Sequence, residues 1–72
     1  MKFSIFTTVH DTGGGTSPDQ TLDDFREQAV LADELGYHTV WIGEHHFGPY
    51  GLGDLGNPLL IGADIAARTK NI

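Results

Sequence analysis

The residues of this chain best suited to chemistry fall in one short run. Trp41-Ile-Gly-Glu-His-His-Phe47 sets a carboxylate and two imidazoles between aromatic rings, and a stretch carrying Gly48, Gly51, Gly53 and Gly56 follows. An imidazole titrates near neutral pH, so it can give or take a proton at a reacting atom. Trp41 and Phe47 can wall an apolar pocket that keeps water away. If the extended conformation persists past Gly43, His45 points with Trp41, while Glu44 and His46 point the other way. Adjacent histidines on a strand therefore make a poor chelating pair, and the Glu-His-His spacing fits no recognised metal pattern. No metal site is expected. The plainer alternative is that both histidines hydrogen-bond loop backbone and that Trp41 belongs to the core.

Several elements must position this run. Residues 2–9 read as a strand rich in Phe, Ile, Thr and Val. Phe3, Ile5, Thr7 and Val9 share one face, and Ser4, Phe6 and Thr8 share the other. Apolar groups on both faces suggest a strand covered on both sides, as in parallel sheets. Residues 10–16, His-Asp-Thr-Gly-Gly-Gly-Thr, form a loop. Its glycine spacing fits neither the dinucleotide fingerprint nor the Walker loop, so a mobile or lid-forming loop is the better reading than a phosphate cradle. His10 either lines a pocket after the first strand or is a solvated loop histidine.

Ser17-Pro18-Asp19-Gln20 is a helix start, with Ser17 as cap, Pro18 at the first helical position and Gln20 placed to reach back. Asp19, Asp23 and Asp24 suit the positive end of the helix dipole and a solvated face better than a catalytic cluster. Leu22, Phe25, Ala29 and Ala32 recur at helical spacing, with Leu35 close to that face, and Gly36 stands in the C′ place. The helix is expected over residues 18–35. Residues 37–43 form a second strand, so the order is βαβ and the strands should be parallel. Asn57-Pro58 opens a second helix over residues 58–69. Arg68 and Lys70 suit its negative end, and Asn71-Ile72 reads as the start of a third strand. Residues 48–56 are a long irregular loop directly after the Glu-His-His-Phe run, a place where loops carry function.

Composition narrows the classes. A chain of 72 residues can bury about 60% of its unfolded surface and is marginal alone. It has 10 glycines and no cysteine to staple it, which suits a piece of a larger α/β protein. The formal net charge is −6, with Lys2, Arg26, Arg68 and Lys70 as the basic residues. Without a basic patch, neither nucleic acid nor an anionic membrane is an expected partner. The apolar runs fall far short of the ~20 residues of a spanning helix, and no secretory hydrophobic region stands near Met1. A cytoplasmic protein is expected.

Taken together, these residues resemble one family. The run 37–47, then Tyr50-Gly-Leu, then Leu55-Gly-Asn-Pro58 and an alanine-rich helix, is similar to the beginning of a bacterial luciferase-like flavin monooxygenase. The opening Met1-Lys-Phe3 strand and the helix ending in Leu35-Gly36 fit as well. The resemblance covers essentially the whole chain, and Glu-His-His-Phe with a downstream Gly-Asn-Pro is its most specific part. It implies an α/β fold, the first two βα units of a TIM (β/α)8 barrel within a single domain over residues 1–72. A complete barrel needs ~250 residues. It also implies reduced FMN, or in some branches a deazaflavin, with dioxygen and a small organic substrate such as an aldehyde. The first histidine of the pair, His45, takes the catalytic place. Glu44, His46, Phe47, Trp41 and His10 stand as cofactor or pocket residues. The other reading is a non-catalytic flavin-binding or subunit-stabilising chain, or an inactive truncation.

Luciferase-like proteins dimerise through helices of this early part of the barrel, which implies a homodimer here. In the second helix, Gly62 and Ala66 lie four apart, as do Ala63 and Ala67, so small side chains form a shallow strip. That strip either meets a second copy or packs on the barrel strands.

Overall fold

The structure is a computed structural model, and it describes residues 1–8, 17–44 and 57–72. Four elements follow one another: β1 (Ser4–Thr7), α1 (Pro18–Glu34), β2 (Thr39–Ile42) and α2 (Pro58–Arg68). The expected order holds, with each element a residue or more shorter than its sequence pattern. β1 and β2 pair in parallel, with Ser4 opposite Thr39, Ile5 opposite Val40, Phe6 opposite Trp41 and Thr7 opposite Ile42. Bonds from His38 N–H to the Phe3 carbonyl (2.7 Å) and from Gly43 N–H to the Thr7 carbonyl (2.8 Å) extend the ladder at both ends.

Local chemistry sets the helix ends. Ser17 is extended and its Oγ accepts from Gln20 N–H at 3.2 Å, with Pro18 next. A reciprocal bond from the Gln20 side chain is expected from the sequence, but Gln20 Nε2 donates instead to Asp24 Oδ1 at 2.8 Å. A carboxylate one turn along is the stronger acceptor. Asp23 pairs with Arg26 Nη1 at 2.9 Å, and of the three acids expected near the helix start Asp19 alone stands in the first turn. At the other end Gly36 takes φ +84. Gly36 N–H donates to the Asp33 carbonyl at 3.1 Å and Tyr37 N–H to the Ala32 carbonyl at 3.0 Å. This is a complete Schellman stop, which turns the chain into β2. In α2, Asn57 Oδ1 accepts from Leu59 and Leu60 N–H at 3.0 and 3.3 Å, again ahead of a proline.

Both helices lie on one face of the sheet. Phe25, Ala29, Ile61 and Ile65 form the buried cluster, and Val40 and Ile42 pack against it. Ala32 is buried too, Leu22 half-buried, and Leu35 exposed. Leu35 is the αR residue that caps α1, and it has turned off the apolar stripe. Burying a Phe or Ile side chain contributes about 1.5–3 kcal/mol, so three large side chains make a thin core. The helices are also joined by charge. Arg26 grips Asp64 with Nε to Oδ2 at 2.8 Å and Nη2 to Oδ1 at 3.1 Å, and Arg68 Nε meets the same carboxylate at 3.2 Å.

Among the described elements, none covers the opposite face of the sheet. Phe6 is 68% and Trp41 61% exposed. The described residues do not supply the second cover that apolar groups on both faces of β1 lead one to expect. The described elements supply helices to one side only, because α1 and α2 both pack on the Val40–Ile42 side.

Candidate functional site

Parallel pairing brings the carboxyl ends of β1 and β2 to one end of the sheet. The chain leaves β1 through Thr8 and leaves β2 through Gly43 and Glu44, so both exits lie at that end. Open α/β sheets and barrels place their ligands at the carboxyl ends of strands.

The bare face supplies the side chains there. Val40 and Ile42 are turned to the helices, so Trp41 between them projects from the other side, beside its register partner Phe6. Gly43 continues the row. A Cβ built on Gly43 would lie 3.1 Å from Phe6 Cζ and 3.3 Å from Thr8 Cγ2. The absence of a side chain at Gly43 is what lets the Phe6 ring lean across the end of β2. Phe6, Trp41 and Gly43 thus form one aromatic surface at the strand ends. Glu44, exposed, begins the segment that follows.

Of the residues expected at the site, Trp41 and Glu44 are placed at this end. Trp41 is exposed and faces away from the helix-side core of the described residues. His10, His45, His46 and Phe47 lie outside the described residues. Phe6 and Gly43 are the additions. Alternation already separates Phe6 from Ile5, but only the strand register shows that Phe6 stands against Trp41 and leans over Gly43. Among the described residues, no group of three or more His, Asp or Glu side chains is arranged to hold a metal ion.

Among the described residues, the ionisable groups whose pKa is shifted lie on the helix side, away from this surface. The two Arg26 hydrogen bonds hold the Asp64 carboxyl below the usual carboxylate range, against the opposing effect of partial burial, and Arg68 adds to the effect. Arg26 is held above its ordinary value by hydrogen bonds to Asp64 and Asp23. These charges stabilise the scaffold and do not reach the strand ends.

Comparison with known proteins decides the kinship. The model of the luciferase-like monooxygenase family matches residues 1–72. The chain belongs to that family. Luciferase-like relatives include the oxygenase component of the flavin-dependent trigonelline monooxygenase of Acinetobacter baylyi, 33% identical over all of this chain and 19% of that protein. The alkanal monooxygenase alpha chain of Photorhabdus laumondii subsp. laumondii is 43% identical over 42 residues, 58% of this chain and 11% of the relative. The 4-hydroxyprotoasukamycin monooxygenase of Streptomyces nodosus subsp. asukaensis is 38% identical over 58 residues, 81% of this chain and 15% of the relative. The chain thus spans about a fifth or less of the length of these luciferase-like proteins. No solved structure matches it significantly. The luciferase-like family has a TIM-barrel fold, and the βαβα order of this chain is consistent with part of one.

Proposed function

We propose that this chain is the amino-terminal part of a cytoplasmic flavin-dependent monooxygenase. The enzyme uses reduced FMN and dioxygen to oxidise a small organic substrate such as an aldehyde. The observation that carries the reading is the Phe6–Trp41–Gly43 surface, bare and aromatic, at the carboxyl ends of two parallel strands of a luciferase-like chain.

The residues present fit a flavin. A planar, largely apolar ring system suits a flat aromatic surface without protruding side chains, and Gly43 keeps this one low. Trp41 and Phe6 would wall the cofactor, with Glu44, His46, Phe47 and His10 completing the pocket. When bound, the reduced flavin supplies the electrons and the site at which dioxygen is activated. The chain's own part is to exclude water and to handle a proton. Trp41 and Phe47 limit solvent access, and His45 gives or takes the proton at the reacting oxygen. Two strands leave the aromatic surface open to water, so residues 1–72 by themselves enclose no cofactor.

A second copy of the protein completes the reading. Leu59, Ala63 and Ala67 recur every four residues on α2, and all are exposed, as is Leu60. Gly62 and Ala66 instead line a hollow beside β2 with Thr39, Val40 and Ile42. The outward row of α2 is the surface offered for a homodimer.

The test is oxygen uptake with reduced FMN and an alkanal. A barrel-length protein that begins with this chain turns over above the free-flavin rate, and residues 1–72 alone do not. A barrel-length protein that binds FMN without turnover supports the non-catalytic alternative instead.

A further inference from the structure

Asp33 is the penultimate residue of α1, where a negative charge sits unfavourably against the helix dipole. The carboxylate serves another segment. Its Oδ2 accepts from Lys70 N–H at 2.8 Å, and its Oδ1 accepts from Asn71 and Ile72 N–H at 2.9 and 3.0 Å. Three consecutive backbone amides converging on one anion form a cup of the kind that fixes a chain in place. α2 has need of it. Its last helical residue, Arg68, is followed by an extended Thr69 (φ −119, ψ 167), with no glycine to turn the chain. Thr69 Oγ1 donates back to the Ile65 carbonyl at 2.9 Å, and residues 70–72 then leave toward α1. Ile72 lines the hollow of about 170 Å³ between β2 and α2, with His38, Val40 and Ile65.

We propose that Asp33 is a carboxylate strap. It docks the exit of α2 onto the end of α1 and holds Ile72 beside β2, and protonation of Asp33 releases it. The Lys70 amide holds the Asp33 carboxyl below its ordinary range, opposed by partial burial and helped by the Asn71 and Ile72 amides. The Lys70 ammonium is the charge that acts on it across the contact. His38, at the start of β2, is turned to Thr39, with its Nδ1 2.6 Å from Thr39 Oγ1. Glu34 on the same helix is exposed.

Amide-resolved NMR of the chain from neutral to acid pH tests this. The Lys70, Asn71 and Ile72 amide signals move together through a single transition in the acid range. Asp33→Asn keeps an acceptor but no charge, and abolishes that transition while α1 keeps its helical signals. Asp33→Ala removes the acceptor and speeds exchange of the three amides by roughly tenfold or more, the scale of a lost hydrogen bond to a charged group. The strap is overturned if these amides exchange at free-peptide rates in the unaltered chain. It is equally overturned if they follow a transition near neutrality, or if the acid transition persists in Asp33→Asn.

Discussion

Phe6 and Trp41 are register partners on the face of the sheet that the helices leave bare. One ring comes from each strand, and the two strands run in the same direction. The pair therefore marks the carboxyl end of the sheet as an aromatic surface, and Gly43 decides how far that surface extends. A side chain at Gly43 has to displace the Phe6 ring. Because Phe6 is exposed and free to swing, Gly43→Ala is expected to cost less than about 1 kcal/mol. Gly43→Val, branched at the point of contact, is expected to cost about 1–3 kcal/mol. Urea unfolding followed by Trp41 emission measures both, and equal effects of the two variants contradict the contact.

The helix side of the sheet responds differently. Phe25 is 3% exposed at the centre of the cluster, while Leu31 on the same helix is 54% exposed. Phe25→Ala is expected to cost about 3–5 kcal/mol, enough to unfold so small a domain. Leu31→Ala is expected to stay within about 1 kcal/mol. Circular dichroism during thermal unfolding separates them, and a tolerated Phe25→Ala places the core elsewhere.

The caps of this fold were legible in the sequence because they are local. Ser17, Pro18, Gly36, Asn57 and Pro58 each act within a few residues, and each does what its type and position suggest. Register and cross-helix chemistry were not legible. Arg26 and Asp64 are 38 residues apart, and Asp33 meets amides 37 to 39 residues away. Nothing in their local patterns distinguishes them from a solvated charged face. The bareness of Trp41 was hidden for the same reason, since an apolar run reads alike whether one or both of its faces are covered.

Acid should loosen this scaffold in a defined direction. Asp33 and Asp64 are held below the usual carboxylate range in the folded chain. Their contribution to stability is therefore complete above the unfolded carboxylate pKa of about 4, and is lost as pH falls through the lower folded values. Arg26 stays charged throughout. Stability to urea should fall steadily below about pH 4. Asp64→Asn should lower stability at pH 7 and flatten that acid dependence. A variant as steeply pH-dependent as the unaltered chain removes Asp64 from the account.

Association should depend on the outward row of α2. Ala63→Glu sets a charge between Leu59 and Ala67, and Ala66→Glu sets one beside the β2 hollow. In a barrel-length protein, Ala63→Glu should shift sedimentation from dimer toward monomer, and Ala66→Glu should shift it toward monomer or aggregate. A dimer undisturbed by either substitution means that α2 faces something else.

The most direct test of the functional reading is the turnover of His45→Ala in a barrel-length protein that begins with this chain, assayed with reduced FMN, dioxygen and an alkanal. A positioned acid–base group contributes roughly 10²–10⁴-fold, so turnover should fall by that order while FMN binding and the helical content are retained. An unchanged rate would contradict the assignment of proton handling to His45.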